Sequence, residues 1–247
     1  MNNVKLKAPV LGVIYGNRDF FPDQLVTEAR ADIAKLFAKF GIKAIQLGEA
    51  DSKLGGVETH SDARKCAEMG VDGIIAIGTG AGGHTGNLSP FALMQEIRSW
   101  WDGLLILSGC IATGRAVLAA EVLGADLAYI GSPFLASHEA DTQPAFRQMI
   151  VDGSAADIVV TNCFTGVDAN FLIPSVIQNG LDPKQLRRIT GTGVNIAGGG
   201  SNSKAWRDIW SAGQGIGAVK YAEPAGAFVD RLADEYAAAR RAIGILA

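Results

Sequence analysis

Short apolar runs recur along this 247-residue chain, and each is followed by glycine or by a Ser-Gly step. Three of them follow one another at residues 73–77, 104–107 and 127–130, and stretches typical of helices separate them. Runs of this length indicate buried strands of a parallel sheet. Repeated strand–helix units of this size therefore predict an α/β fold whose parallel sheet is covered by helices.

Further elements extend this pattern toward both ends of the chain. Strands are predicted at 10–15 and 44–47 with a helix over 23–40 between them, and 157–161 is a further extended segment. The glycine-rich stretch 191–203 has the composition of a loop, and a terminal helix starts at Pro224.

Five or six βα units favour an open, flavodoxin-like parallel sheet, because a closed (β/α)8 barrel needs eight strands. A partial barrel of the (β/α)8 type is the alternative. An unpaired edge strand could also find its partner in a second copy of the chain, which would make a homodimer.

Composition narrows the partners that this chain can have. A net charge of −3 gives no bulk attraction to nucleic acid or to a membrane surface, and no apolar run is long enough to span a bilayer. The three cysteines, Cys66, Cys110 and Cys163, are isolated, which fits a reducing cytoplasm and indicates no metal site.

The loop "GTGAGGHTG" at 78–86 matches the glycine spacing of a dinucleotide-binding turn, but its surroundings do not. That motif needs a helix directly after its last glycine, whereas the next helix is predicted to begin only near Pro90. A glycine-rich loop at the end of a parallel strand is the better interpretation. Gly82 and Gly83 would let the backbone approach a flat ring, and His84 could exchange protons near neutral pH. An ordinary turn with a solvated histidine is the alternative.

Two neighbouring strand ends have small-residue turns that lead into helices, at 107–115 and 129–133. Free amides at such turns and helix N-termini can hold a phosphate, and Ser132 would act as a cap and a hydroxyl donor. Each turn alone could be an ordinary tight connection. Together with the loop that contains His84, they predict a phosphorylated planar cofactor.

From about residue 69 onward, over about 180 residues, the chain resembles the nitronate monooxygenase family. The matching stretches are "GVDGIIAIGTGAGGHTG", "LILSGCIATGRAVLAAEVLGADLAYIGSPFLA", "TNCFTGVDANFLIPSVIQNGLDP" and "WRDIWSAGQGIGAV". The resemblance implies FMN as cofactor, no metal, and His84 as the catalytic histidine. The residues that it implies around FMN are Gly82, Gly83, Gly109, Tyr129, Ile130, Gly131, Ser132 and Gln214.

The implied reaction is the oxidation of an alkyl nitronate by molecular oxygen to a carbonyl compound and nitrite. A small nitronate or nitroalkane and O2 are then the partners, with no nucleic acid and no membrane. A flavin-dependent enoyl reductase that uses NAD(P)H has a similar Ala-Gly-Gly-His loop and is one alternative. An inactive scaffold with weak or no flavin binding is another.

Residues 8 to about 68 resemble a different family, the N-terminal domain of L-fucose and L-arabinose isomerases. The stretches "GVIYGNRDFFPDQLVTEAR" and "GGVETHSDARKCAEM" support that resemblance. We therefore expect a chimera with one segment at 1–68 and an FMN-binding part at 69–247. Within the second part, Cys110 replaces a common glycine and Ile77 replaces a glutamine that contacts flavin in many relatives.

Overall fold

The computed structural model describes residues 59–186 and 207–244, the strands at 11–13, 44–46 and 54–57, and single positions between 31 and 39. The chain forms two compact units, residues 1–54 and 55–247. The helix predicted over 23–40 lies largely outside the described residues, and the loop predicted over 191–203 lies wholly outside them. The predicted boundary near residue 69 stays a prediction.

The described strands are β1 (Leu11–Val13), β2 (Ala44–Gln46), β3 (Leu54–Val57), β4 (Gly73–Ile77), β5 (Gly83–His84), β6 (Leu104–Ser108), β7 (Leu127–Tyr129), β8 (Ile158–Thr161) and β9 (Ala169–Leu172). The described helices are α1 (His60–Glu68), α2 (Pro90–Arg98), α3 (Gly114–Val122), α4 (Ser132–Leu135), α5 (Pro144–Asp152), α6 (Ile173–Gln178) and α7 (Ala225–Ala242). None of the helices in this described part is both long and apolar enough to cross a membrane.

In the first unit, β1 and β2 pair in parallel, with Leu11 opposite Ala44. Both strands lie inside the stretches that the apolar pattern predicts. A parallel pair requires the chain to cross over between its strands, and the long connection from β1 to β2 allows this.

The main sheet of the second unit has the strand order β3-β4-β6-β7. β4 and β6 are parallel with Gly73 opposite Leu104, and β6 and β7 are parallel with Ile106 opposite Leu127. The prediction of an α/β fold built on a parallel sheet is therefore confirmed.

One face of this sheet packs against the helices that connect its strands. Ile74 and Leu105 are fully buried there, and Leu107 is nearly so. The buried side chains of α2 that join this cluster are Leu93, Met94 and Ile97. Burial of these apolar groups supplies the main favourable free energy of this part of the fold.

The rest of the second unit contains a small antiparallel sheet, of order β5-β9-β8, that the sequence pattern does not predict. The extended segment expected at 157–161 is β8, and it pairs antiparallel with β9. The connection of β8 to β9, residues 162–168, is too short for a parallel crossover, so the two strands form a hairpin instead.

Helix ends largely follow the sequence signals. Ser89 caps α2 by accepting a hydrogen bond from the amide of Phe91, with Pro90 at the first helical position. At α1, Ser61 lies inside the helix and does not cap it. The hydroxyl of Thr59 accepts the hydrogen bond from the amide of Asp62, which makes Thr59 the N-cap.

Candidate functional site

A cavity of about 350 Å³ lies at the carboxyl ends of β4, β6 and β7. This is the edge of a parallel sheet at which small ligands bind, and the volume lies in the usual range of about 300–1,000 Å³ for small-molecule sites. The residues that line it are Gly80, Ala81, Gly82, Gly83, Ser108, Gly109, Cys110, Ile111, Tyr129, Gly131, Ser132, Pro133, Leu135, Phe146, Ser211, Gly213 and Gly215.

The glycine loop, residues 80–83, forms the first wall of the cavity. A side chain at Gly80 would lie 2.2 Å from the sulfur of Cys110, and one at Gly82 would lie 2.8 Å from the hydroxyl of Ser132. Distances this short exclude a side chain at either position without movement of its neighbours. The loop is therefore built from glycine because its backbone lies directly against the other walls.

The second wall is the turn that follows β6. Cys110 has a φ of 58°, a left-handed value that favours glycine, and this agrees with its expected place at a position where glycine is common. Its sulfur lies 3.6 Å from the carbonyl oxygen of Thr79. Burial raises the pKa of the Cys110 thiol, so the neutral thiol is the main form near pH 7.

The expected phosphate cradle is only partly free to bind an anion. The amide of Gly114, at the start of α3, donates a hydrogen bond of 2.8 Å to a carboxylate oxygen of Glu235 on α7. This end of α3 is thus filled by an anionic group of the protein itself. The open part of the cradle is the turn after β7, where a side chain at Gly131 would meet no atom within 4 Å.

Ser132 lies in that turn, but its role differs from the predicted cap and donor. Gly131 is the N-cap of α4, and Ser132 is the first helical residue. The Ser132 hydroxyl accepts a hydrogen bond of 2.7 Å from the amide of Gly213. The hydroxyl therefore joins the turn after β7 to residues 211–215, and its own hydrogen is left for another acceptor.

The third wall comes from residues 211–215, a stretch to which the family resemblance points through Gln214 and "WRDIWSAGQGIGAV". Ser211, Gly213 and Gly215 line the cavity, and the amide of Gln214 donates a hydrogen bond of 2.9 Å to the carbonyl of Gly80. Apart from that resemblance, the signal in the sequence is the run of small residues in "SAGQGIGA". The neighbouring Trp210 is buried and stacks on Phe146, with ring centres 5.1 Å apart.

The structure brings six of the eight expected cofactor-binding residues to one cavity, namely Gly82, Gly83, Gly109, Tyr129, Gly131 and Ser132. Ile130 instead packs against the helix-covered core, and Gln214 touches Gly80 behind the glycine loop. His84 is half-buried in β5, one residue beyond the cavity wall. The roles assigned to all of these residues stay predictions.

The described wall of the cavity contains no charged side chain. An anionic group bound there would be held by amide N–H and hydroxyl groups. Tyr129, which is 59% exposed, gives the rim an aromatic surface and Phe146 contributes another apolar ring. The cavity thus combines backbone donors with flat apolar surfaces, which suits a planar ring that carries a phosphate.

A parallel sheet with a glycine-lined cavity at its carboxyl edge defines a class of α/β proteins that bind small organic ligands. The sequence profile of the nitronate monooxygenase family matches residues 47–235, and the chain belongs to this family of flavin-dependent oxidoreductases. A second profile, for the N-terminal domain of fucose/sulfoquinovose isomerases, matches residues 12–78. Both resemblances found in the sequence are thereby confirmed.

A protein of Staphylococcus aureus named a probable nitronate monooxygenase is 36% identical over 132 residues, which cover 49% of this chain and 37% of the relative. The chain spans about a third of the length of the curated relatives that it matches.

Two solved structures share the fold over nearly the whole chain. FabK from Thermotoga maritima aligns with a TM-score of 0.60 at 23% identity, covering 96% of this chain and 70% of that one. Nitroalkane oxidase from Streptomyces ansochromogenes aligns with a TM-score of 0.60 at 24% identity, covering 96% and 66%.

Proposed function

We propose that the chain binds FMN in the cavity and oxidises alkyl nitronates with molecular oxygen to a carbonyl compound and nitrite. The observation that most supports this function is the cavity itself, where three glycine-rich walls meet at the carboxyl end of the parallel sheet. Membership of the nitronate monooxygenase family supplies the chemistry to test. When bound, FMN would supply the electron transfer between nitronate and oxygen, which no side chain can perform.

The residues present fit such a cofactor. The space at Gly131, where a Cβ would meet nothing within 4 Å, can accept the phosphate, and the Ser132 hydroxyl can donate its free hydrogen to it. Gly82 and Gly83 would lie against the ring, because neither presents a side chain to the cavity. Without a charged residue in the described wall, phosphate affinity depends on these short-range donors.

His84 would act as the base and proton shuttle of the reaction. The antiparallel pairing of β5 with β9, with His84 opposite Ala169, fixes its backbone beside the glycine loop. When the substrate arrives as a neutral nitroalkane, an imidazole nitrogen can take the proton from the carbon next to the nitro group, which forms the nitronate, and pass that proton to solvent near neutral pH. The half-buried position of His84 restricts its contact with bulk water and keeps this exchange local.

The first test is the visible absorbance of the purified full chain before and after addition of FMN. We expect a yellow protein with one flavin per chain, and nitrite release from a nitronate in air. His84→Ala should retain the flavin and lose turnover of a neutral nitroalkane, which needs a base, whereas His138→Ala, at an exposed histidine, should retain both.

Other outcomes of these assays would favour either the enoyl reductase or the inactive scaffold. Flavin that is reduced by NAD(P)H and then reduces an enoyl compound, without nitrite release, would favour the enoyl reductase. A protein that stays colourless with excess FMN would contradict the enzyme proposal and leave the inactive scaffold.

A further inference from the structure

Asn170 is a fully buried polar residue in β9, directly opposite Gly83 of the glycine loop. Its side-chain amide donates a hydrogen bond of 2.6 Å to the carbonyl oxygen of Ala81. Asn170 itself is not part of the cavity wall, whereas Ala81 and Gly83 both are. Its effect on any ligand must therefore pass through the loop.

The orientation of the Asn170 amide follows from its partner. A carbonyl oxygen can only accept, so the group that faces Ala81 must be the NH2 and the side-chain oxygen must point elsewhere. That oxygen, Oδ1, is buried and has no hydrogen-bond partner among the described residues. A buried acceptor without a partner is unfavourable, so general stability alone does not account for an asparagine at this position.

A second connection joins the same strand to the other side of the loop. The hydroxyl of Ser211 accepts a hydrogen bond of 2.7 Å from the amide of Gly83 and donates one of 2.5 Å to the main-chain carbonyl of Asn170. β9 thus holds the loop at Ala81 through a side chain and at Gly83 through a hydroxyl relay. Gly82 lies between these two points.

We infer that Asn170 is a positioning residue, which together with Ser211 fixes the shape of the glycine loop before any ligand binds. Glycine-rich backbone has more conformational freedom than any other, so a loop of this composition needs external partners to stay in one shape. A preformed wall reduces the ordering cost of binding. The expected effect on FMN affinity rests on the proposed function. The effect on the shape of the loop is a property of the protein alone and does not depend on that proposal.

The test uses the full chain without added flavin and measures hydrogen exchange of the peptide that covers residues 80–83. Asn170→Asp has nearly the same shape as the native side chain and replaces the NH2 donor to Ala81 by a carboxyl oxygen. Ser211→Ala removes the relay, and Ser211→Thr restores a hydroxyl. Asn179→Asp is the matched control, because the Asn179 amide also donates to two carbonyls, those of Ser175 and Asp208, at residues outside the cavity wall.

In Asn170→Asp and in Ser211→Ala, we expect the amide hydrogens of residues 80–83 to exchange about tenfold faster. This is the size of effect that the loss of one hydrogen bond produces. Ser211→Thr should restore slow exchange, and Asn179→Asp should leave the loop unchanged. In a fluorescence titration with FMN, the two loosened variants should bind about tenfold more weakly.

Unchanged loop exchange in both Asn170→Asp and Ser211→Ala would overturn the inference. If Asn170→Asp does not fold, the two Ser211 variants decide the question. If the parent chain binds no FMN, the proposed function fails, and exchange in the flavin-free protein still decides whether Asn170 and Ser211 hold the loop.

Discussion

The amide of Gly114 donates a hydrogen bond of 2.8 Å to the carboxylate of Glu235, a residue 121 positions later in the chain. Glu235 also accepts a hydrogen bond of 2.9 Å from Arg231, whose guanidinium contacts Glu223 as well. The hydrogen bonds to Glu223 and Glu235, together with the charges of these carboxylates, raise the pKa of Arg231. The start of α3 is thus closed by α7, and an anionic ligand is left with the turn at Gly131.

Replacing Glu235 by glutamine tests this arrangement. Glu235→Gln keeps an acceptor for Gly114 but loses the negative charge that interacts favourably with the N-terminus of α3 and with Arg231. The free energy of unfolding should therefore fall by about 0.5–1.5 kcal/mol. Urea unfolding measures this, with the exposed Asp234→Asn on the same helix as the control. FMN affinity should not change, and a clear loss of affinity would show that the start of α3 takes part in binding.

The contact of α3 with α7 depends on the absence of a side chain at Gly114. A Cβ there would lie 2.2 Å from the carbonyl oxygen of Leu232 and 2.3 Å from the amide nitrogen of Tyr236. Gly114→Ala should therefore lower the free energy of unfolding by about 1–3 kcal/mol, although alanine favours helix elsewhere. Gly226→Ala on α7, where a Cβ meets nothing within 4 Å, is the control and should be neutral or slightly stabilising. Thermal melts of both variants measure the difference.

Gly131 allows ligand binding to be separated from stability. Because a Cβ there meets no protein atom within 4 Å and φ is −120°, Gly131→Ala should unfold at the same temperature as the parent. The added methyl group would occupy the space proposed for the phosphate, so FMN should bind at least about tenfold more weakly. Equal FMN affinity for Gly131→Ala and Gly226→Ala in a titration would exclude Gly131 from the site.

The contribution of Asp126 to the free energy of unfolding depends on pH. Burial by itself would raise the pKa of its carboxyl, but hydrogen bonds from the Leu105 amide and the Arg98 guanidinium, with the charge of Arg98, lower it overall. A lowered folded-state pKa means stabilisation that is complete above the unfolded value of about 3.9 and is lost as the pH falls through the folded value.

Asp126→Asn should accordingly lower the melting temperature by a few degrees between pH 5 and 7, and the difference from the parent should shrink below about pH 4. Melting temperatures across this range provide the measurement. The exposed Asp102→Asn is the control and should show a much smaller difference. A difference for Asp126→Asn that stays constant down to pH 3 would contradict the role of this ion pair.

Local patterns in the sequence predicted the elements that local physics decides. The apolar runs at 73–77 and 104–107 are strands because their side chains must leave water, and Ser89-Pro90 starts a helix because both residues favour that geometry. The ends of these strands then placed the glycine loop and the turn at Gly131 on one edge of the sheet, because strands of a parallel sheet end on the same side.

The sequence by itself therefore determined the parallel sheet, the start of α2 at Ser89-Pro90 and the small-residue turns at the cavity. Only the tertiary structure decided which groups face one another there: Ser211 at Gly83, 128 residues away, and Glu235 in the place expected for a phosphate. It also decided that β8 and β9 form a hairpin that places Asn170 behind the loop. Such pairings depend on how distant segments of the chain pack. Local propensities do not determine them, because one hydroxyl or carboxylate can accept a hydrogen bond from any amide that the fold brings within reach.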